Sequence, residues 1–187
     1  MAFDWITAGD LRGYAQMGED VSDEQIGQYK AAAMDYIERY TGRKLERMER
    51  TERHPARCSV LLDAWPVGSV ARVETGVGDV PESEYELDAE RGILNLARAE
   101  SGGFVSVTYT GGYTANDMPG AILAACAMIV SGLISAGANG GQQITYQALD
   151  GYQVTYSSKY TNGESLEMLS PSAAILLRPF RSRQAMR

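Results

Sequence analysis

Residues 118–138 have the sequence MPGAILAACAMIVSGLISAGA, in which no residue is charged. Asp117 is placed to cap a helix at its N-terminus, Pro119 suits the first turn, and Gly137 begins a glycine-rich stop. Apolar residues recur at helical spacing on two sides of this segment. One side carries Ile122, Cys126, Ile129 and Leu133, and the other carries Leu123, Ala127, Val130 and Ile134. The sequence therefore predicts one long helix that is buried on all sides.

This helix must be covered by lipid or by protein, and its length is close to the roughly 20 residues that span a bilayer. Eleven of its 21 residues are Gly, Ala or Ser, which gain little free energy in hydrocarbon. No Lys or Arg lies between Arg98 and Lys159 to orient a membrane span. Small residues instead let neighbouring helices approach closely. We predict a core helix covered by protein, from its own subunit or from others in an oligomer, and no membrane partner.

Charge is unevenly distributed along the chain. Its 187 residues include 17 Lys and Arg against 24 Asp and Glu, a net charge of −7. This charge argues against electrostatic binding of nucleic acid by the chain as a whole. The last ten residues contain no acid, and their basic residues are Arg178, Arg181, Arg183 and Arg187. An acidic body is therefore expected to end in a basic tail.

Chain length and cysteine content limit the classes of protein to which this chain can belong. The chain is long enough for one compact domain or two small ones. Cys58 and Cys126 are far apart, and Cys126 lies in the apolar helix, so a disulfide framework is not expected. Residues 1–10 contain Asp4 but no basic residue and no long apolar run. No signal peptide is predicted, and a cytoplasmic location is expected.

Two helices are predicted before residue 43. Thr7 and Asp10 form a capping-box pattern, which predicts a short helix that ends at Gly18. The same pattern recurs at residues 22–25 and predicts an amphipathic helix that stops at Gly42. The apolar stripe of this second helix consists of Ile26, Tyr29, Ala33, Ile37 and Tyr40. Such a narrow stripe favours packing beside the uncharged helix.

The next part of the chain is predicted to be a β module. Eight of the eleven residues from Arg43 to Arg53 are charged, which fits a solvated strand or an extension of the preceding helix. Short apolar runs separated by turns follow at 59–62, 70–75, 85–88, 93–96 and 104–109. In the last run apolar and polar residues alternate, which predicts one buried and one wet face.

The predicted fold class is α+β. Residues 1–42 and 117–187 form a small helical body built on the long uncharged helix, with a C-terminal β-hairpin and a short helix. Residues 43–116 form the β module inserted between them. Turn-rich segments bound the module on both sides, as expected when its two ends lie together.

The hairpin is predicted within residues 144–160. A three-residue loop at 149–151 would place Val154 opposite Tyr146 and Tyr156 opposite Ile144, which brings the large side chains to one face. The tyrosines of that face are Tyr146, Tyr152, Tyr156 and Tyr160. Tyrosines are favoured at interfaces, so this face packs either on another protein subunit or on the protein's own core.

A short apolar helix is predicted near the C-terminus, capped by Ser170 and ended by Pro179. An apolar anchor followed by arginines indicates docking onto a partner, and the alternative is a solvated terminus. The predicted docking residues are Ile175, Leu176, Leu177, Arg178, Phe180, Arg181 and Arg183. We expect residues 170–187 to be separable from the fold of their own subunit.

The sequence contains no recognisable set of catalytic residues. His54 is the only histidine, precedes Pro55, and has no nucleophile motif near it, so a role on the surface is predicted for it. No Cys/His cluster for a metal and no phosphate-binding loop for a cofactor is present in the sequence. The sequence therefore predicts no enzyme, no metal site and no cofactor.

Several short motifs occur in an order that resembles the head-tail connector proteins of tailed bacteriophages, also called head-completion or adaptor proteins. They are AMDYIERYTGR at 33–43, WPVGSV at 65–70, YELD at 85–88 before GIL at 92–94, VTYTGGY at 107–113 leading to Pro119, and LLRPFR at 176–181. The resemblance covers nearly the whole chain, and its specificity lies in the order of the motifs.

The resemblance implies a structural virion protein at the head-tail junction, assembled in the host cytoplasm. It would form a ring, typically twelve-fold, between the portal protein and a stopper or tail-completion protein. Double-stranded DNA would pass through the channel without sequence-specific binding, and an acidic lumen would let it slide. A small protein-binding module unrelated to virions is the alternative, and the mass of the assembly would distinguish the two.

Overall fold

The computed structural model describes residues 3–4, 6–15, 17, 21–98, 103–138, 144–148, 153–156 and 170–182. The α+β fold class is confirmed. The helices are α1 (Ala8–Tyr14), α2 (Asp23–Thr41), α3 (Gly120–Ala138) and α4 (Pro171–Leu177). The strands are β1 (Met48–Pro55), β2 (Ser59–Leu61), β3 (Val67–Thr75), β4 (Gly78–Asp79), β5 (Tyr85–Asp88), β6 (Ile93–Leu96), β7 (Phe104–Gly111), β8 (Ile144–Ala148) and β9 (Gln153–Tyr156).

The two N-terminal helices begin where their capping residues predict. Thr7 and Asp10 form a reciprocal capping box at the start of α1. Ser22 and Gln25 do the same before α2, with 3.2 Å between the Gln25 N–H and the Ser22 Oγ. Helix α2 ends at Thr41 because Gly42 takes a positive φ of 65°. Helix α1 ends at Tyr14, and the predicted stop at Gly18 lies outside the described residues.

The long uncharged helix forms as predicted but starts later. The Pro119 carbonyl accepts the N–H groups of Ile122 (2.9 Å) and Leu123 (3.4 Å), so the first helical residue is Gly120. Asp117 does not cap the helix. Its carboxylate accepts hydrogen bonds from the Thr114 backbone and hydroxyl, and it pairs with Arg47 at 3.0 Å. Because Thr114 and Arg47 bind the Asp117 carboxylate, it does not accept hydrogen bonds from the first turn of the helix.

Helix α3 is covered on one side rather than on all sides. The helices α1, α2 and α4 each pack against it, which buries Ile122, Ala125, Cys126, Ala127, Ile129 and Val130. Ala121, Ala124, Met128, Ser131 and Gly132 remain half-buried, as do Leu123, Leu133 and Ile134. The expectation of burial all round is therefore wrong for the single subunit, because the three helices that pack on α3 cover only part of its surface. No helix in the described part of the chain is long and apolar enough to cross a membrane.

The chain separates into two compact units. The helical unit comprises Met1–Thr41 with Pro119–Arg187, and the β unit comprises Gly42–Met118. That residues 43–116 behave as an inserted domain, folding apart from 1–42 and 117–187, stays a prediction. Limited proteolysis that cuts near both ends of the β unit, leaves residues 43–116 intact and leaves segments 1–42 and 117–187 bound to each other would support it.

The β unit contains two antiparallel sheets that share one core. The larger sheet has the strand order β1-β7-β3-β4 and the smaller has the order β2-β6-β5. The predicted alternation in β7 is confirmed, since Val105, Val107 and Tyr109 are fully buried. The charged run from Arg43 is largely strand β1, so the helix extension is excluded. The shared core consists of Val60, Leu62, Ala64, Val67, Val73, Leu94, Leu96, Val105, Val107 and Tyr109.

The C-terminal hairpin forms with a register that differs from the predicted one. Ile144 opposes Tyr156, as predicted. An irregularity follows between Ile144 and Tyr146, so that Tyr146 opposes Thr155 instead of Val154. The predicted pairing of Tyr146 with Val154 is wrong because β8 advances two residues where β9 advances one, which is the pattern of a β-bulge. The predicted loop at 149–151 lies outside the described residues.

Gly112 lies where two parts of the β unit approach most closely. Its φ is 105°, and a Cβ built on it would lie 2.6 Å from the Glu46 carbonyl oxygen. The Tyr113 N–H donates to the Leu45 carbonyl at 2.6 Å, which holds the chain that enters the unit beside the chain that leaves it. A side chain at position 112 is therefore excluded by both conformation and space.

We expect Gly112→Ala to lower the free energy of unfolding by about 1–3 kcal/mol, because it adds an unfavourable φ to a backbone clash. Urea denaturation followed by circular dichroism measures this. Gly68→Ala is the matched control, since a Cβ there meets the Thr110 carbonyl at 3.5 Å, an ordinary contact. Equal stability of the two variants would contradict the assignment of the close approach.

Candidate interaction surfaces

The C-terminal segment is built into the helical unit. Ser170 caps α4, its Oγ accepting the Ala173 N–H at 3.4 Å. The Tyr40 hydroxyl donates to the Ala174 carbonyl at 3.3 Å, and the Arg181 guanidinium lies 4.9 Å from the centre of the Tyr40 ring. The Ser182 N–H donates to the Thr41 carbonyl at 2.7 Å, at the end of α2. Residues 170–182 therefore close one end of the helical unit.

This placement corrects the expectation that residues 170–187 are separable from their own fold. Ala173, Ala174 and Leu177 are buried against the other helices of the unit. Leu177, predicted as a docking residue, has no exposed surface with which to contact a partner. Its burial instead stabilises the subunit by about 1.5–3 kcal/mol.

The opposite side of α4 and the turn that follows it are open to solvent. Ile175 is 62% exposed, which is unusual for a large apolar side chain on a short helix. Arg178 is exposed, whereas Leu176, Phe180 and Arg181 are half-buried. Arg183 lies outside the described residues. The structure therefore brings an apolar and basic patch together around Ile175, and its docking role stays a prediction.

The predicted tyrosine interface is only partly described. Tyr146 lies in β8 and Tyr156 in β9, on neighbouring strands of the hairpin. Tyr152 and Tyr160 lie outside the described residues. The role of these four tyrosines at a subunit or neck interface stays a prediction.

The single histidine belongs to a polar cluster in the β unit rather than to the open surface. His54 Nε2 lies 3.0 Å from one oxygen of Glu52, and the Asp63 N–H donates to the same oxygen at 3.0 Å. The Tyr109 hydroxyl donates to the other oxygen of Glu52 and accepts the Ala64 N–H at 2.9 Å. His54 is 16% exposed, so the expected surface role is wrong. Its role is to satisfy a carboxylate that the sheet partly buries.

This cluster shifts the pKa of its acids in opposite directions. Burial alone would raise the pKa of Glu52, but the hydrogen bonds from His54, Tyr109 and the Asp63 backbone outweigh it and hold that pKa below its usual value. Burial and the neighbouring Glu52 charge raise the pKa of Asp63. Burial also raises the pKa of the Tyr109 hydroxyl, which stays protonated and donates. Hydrogen bonds to fixed partners indicate a structural cluster rather than a catalytic one.

Arg43, the first residue of the charged run, is also buried. It is 3% exposed, and its guanidinium lies 3.3 Å from the centre of the Trp65 ring and donates to the Trp65 carbonyl. Burial lowers the pKa of this guanidinium. No sequence pattern indicated this burial, because the charges from Arg43 to Arg53 predicted solvation of the whole run.

One further surface was not foreseen. A groove of about 770 Å³ runs along α2 beside the N-terminal segment, with acidic residues on its edges. Its acids are Asp4, Glu24, Asp35 and Glu38. They are spread over two segments of the sequence, so no local motif could have indicated it. Among the described residues no group of three His, Cys, Asp or Glu side chains is arranged to hold a metal ion.

The described surfaces include an apolar and basic patch around Ile175 and a partly uncovered core helix. Several solved chains share this fold. A chain in the virion of a native gene transfer agent (GTA) particle has 16% identity and a TM-score of 0.57, covering 93% of this chain and 88% of that one. A chain in the neck of an empty GTA particle, computed with C6 symmetry, has 15% identity and a TM-score of 0.58, covering 94% and 88%.

A chain in the neck of a native GTA particle, computed with C12 symmetry, has 16% identity and a TM-score of 0.54, covering 86% of this chain and 83% of that one. The model of the family described as head completion protein matches residues 4–154. The chain therefore belongs to the head completion protein family, which makes it a structural protein of the virion head-tail junction. No curated protein matches its sequence.

We expect Leu177→Ala to lower the free energy of unfolding by about 2–5 kcal/mol, because it leaves a cavity where α4 packs. Ile175→Ala, two residues away on the exposed side, should change it by less than about 0.5 kcal/mol. Thermal and urea denaturation of the two variants measure this. A larger loss for Ile175→Ala would overturn the assignment of the buried and exposed sides of α4.

A second prediction follows from Glu52. Because its folded pKa is lowered, its contribution to stability is complete above the ordinary glutamate pKa of about 4.3 and is lost as pH falls through the folded value. Glu52→Gln should therefore lose less stability than the natural protein between about pH 6 and pH 3. Urea denaturation across this range measures the difference. A Glu52→Gln stability curve that runs parallel to that of the natural protein over this range would contradict the prediction.

Proposed function

We propose that the protein forms a twelve-fold homo-oligomeric ring that attaches to the portal and receives the stopper or tail-completion protein on its other side. The observation that carries this proposal is membership of the head completion protein family over residues 4–154. The similar neck structures support it, since two of them were computed with C12 and C6 symmetry. Those symmetries belong to the GTA particles, and we carry them to this chain as an inference.

The half-buried side of α3 supports ring formation. A single subunit leaves Ala124, Met128 and Gly132 accessible on a helix without charge. Small residues on that side would let an element of the neighbouring subunit approach closely. In a ring with one repeated contact, each subunit presents this side to the next, which completes the burial that the uncharged helix requires.

The patch around Ile175 supports attachment to the portal. Ile175 would supply the apolar anchor, with Leu176 and Phe180 at its edge, while Arg178 and Arg181 would pair with acidic groups of the portal. Arg183 would extend the basic surface. Leu177 has no part in the contact, because it serves the core of its own subunit.

The net charge suits a channel for DNA. A net charge of −7 makes lasting contact with phosphates unfavourable, so the duplex would pass the ring without being held. The protein would act by assembly alone, without catalysis or a cofactor.

The test is the mass of the assembly. When mixed with purified portal rings, the protein should give a complex in which each portal ring carries twelve copies of the 20.3 kDa subunit, measured by native mass spectrometry and electron microscopy. A protein that stays monomeric and unbound in the presence of the portal would contradict the function as a connector.

We expect Ile175→Asp combined with Arg178→Glu to abolish portal binding while leaving the melting temperature unchanged, because both side chains are outside the core. Val77→Asp is the matched control, since Val77 is 87% exposed in the turn between β3 and β4. If the double variant binds as well as the control, the patch around Ile175 is not the docking site.

A further inference from the structure

Strand β1 is the outer strand of the four-stranded sheet in the β unit. It pairs with β7 on one side, and among the described residues no strand pairs with it on the other side, its outer edge. It has eight residues, whereas β4 at the opposite edge of the sheet has two. Proteins usually shorten or cover the edge of a sheet, because its unpaired backbone groups can pair with another strand. The outer edge of β1 is therefore a surface where a further strand can be added.

The hydrogen bonds to β7 determine which residues of β1 face the outer edge. The Ala56 N–H donates to the Gly103 carbonyl at 2.9 Å, at the end of the ladder between the two strands. The direction of the backbone groups alternates along a strand. The N–H and C=O groups of Glu49, Thr51 and Arg53 therefore point away from β7, toward the outer edge.

The side chains of the same three residues lie on the solvent side of the sheet. Glu49, Thr51 and Arg53 are all exposed. Thr51 Oγ1 lies 2.9 Å from Thr108 Oγ1 on β7. The Arg53 guanidinium lies 4.4 Å from the centre of the Phe104 ring, which is 49% exposed. A strand added at the outer edge would meet both the backbone and the side chains of these residues.

The charges of β1 are complementary to those of the same strand in reverse. Residues 49–53 read Glu, Arg, Thr, Glu and Arg. When two copies pair antiparallel about Thr51, Glu49 of each copy lies opposite Arg53 of the other, and the two Thr51 residues face each other. Arg50 then lies opposite Glu52. Unlike charges and threonines directly opposite each other stabilise an antiparallel pair.

Glu49 and Arg53 contribute most of this complementarity, because neither forms an ion pair with a described residue. Arg50 and Glu52 instead have hydrogen-bond partners within their own subunit, the Glu46 carbonyl and the Tyr109 hydroxyl. The exposed acid and the exposed base of β1 are thus available to a second chain, and each has the other as its natural partner.

The neighbouring registers lose this complementarity. Residues that face the outer edge must lie opposite each other, so the register can change only in steps of two residues. One step in one direction sets Glu52 opposite Glu52 and Glu49 opposite Pro55, which has no N–H to donate. One step in the other direction sets Arg50 opposite Arg50. Edge charges that usually discourage pairing here favour a single register.

We propose that the free protein forms a two-fold dimer in which the β1 strands of two copies pair antiparallel about Thr51. About six backbone hydrogen bonds join Glu49, Thr51 and Arg53 of the two copies. A Glu49–Arg53 ion pair lies on each side of the central threonines, and the two larger sheets become one continuous sheet. A two-fold contact differs from the repeated contact that closes a ring, so the dimer belongs to the protein before assembly.

Sedimentation equilibrium of the isolated full chain measures the dimer. Between about 1 μM and 1 mM protein, the average mass should rise from 20.3 kDa toward twice that value. Glu49→Arg and Arg53→Glu each set like charges opposite each other, so each variant alone should stay monomeric over this range. Glu86→Arg, the same change at an exposed position of β5, is the matched control and should dimerise like the natural protein.

Mixing the two charge variants should restore the contact. A Glu49→Arg chain and an Arg53→Glu chain set unlike charges opposite each other at both ends of the paired strands. An equimolar mixture should therefore form a heterodimer, although neither variant forms a homodimer. A variant that had lost its fold would not regain pairing in the mixture, so this rescue separates pairing from folding.

A cysteine at position 51 tests the register. In the proposed pair the two Thr51 Cα atoms lie about 5.5 Å apart, which a disulfide can bridge. In chains that carry Cys58→Ser, with Cys126 buried, Thr51→Cys should give a disulfide-linked dimer on mild oxidation. Glu49→Cys should not, because the two residues at position 49 lie roughly 14 Å apart along the strands.

Three results overturn the proposal. The first is a single species of 20.3 kDa over the whole concentration range. The second is dimerisation of both charge variants to the same extent as the natural protein, which would place the contact elsewhere on the subunit. The third is a disulfide that forms at position 49 and not at position 51, which would exclude the proposed register.

Discussion

The helical unit depends on the burial of one helix without charge. An uncharged helix of 19 residues gains its stability only from what covers it, and α1, α2 and α4 supply that cover from both ends of the chain. Helices α1 and α4 have seven residues each and need packing on α3 for their stability, and the longer α2 packs on α3 as well. The same constraint leaves Met128 and its neighbours half-buried in one subunit, which favours the proposed contact of this side of α3 with a neighbouring subunit.

The β unit is organised by a second constraint, the approach of its entering and leaving chains. Gly112 lets the backbone after β7 come into contact with the carbonyls of Leu45 and Glu46, where any side chain would clash. Tyr109 fills the core beneath this point, and its hydroxyl joins the cluster of Glu52 and His54. The polar groups of Glu52, His54 and Tyr109 thus have partners, which is why this histidine and this carboxylate stabilise the fold.

Helix α4 has a buried side that stabilises its own subunit and an exposed side that is open to solvent. Leu177 faces the unit and Ile175 faces solvent, so the residues that anchor the segment cannot also bind a partner. The last arginines add a positive end to an acidic body.

The sequence by itself determined the fold class, the helices and most of the strands, because the capping residues of α1 and α2, the stop at Gly42 and the alternation in β7 act locally. The ordered motifs also indicated the family. Tertiary structure decided which side of each element is covered. The Asp117 carboxylate binds Thr114 and Arg47, His54 Nε2 lies against the Glu52 carboxylate, and Leu177 is buried. None of these contacts follows from the periodicity of the sequence. Periodicity gives the spacing of apolar residues, but the neighbour that covers them is set only when the chain folds.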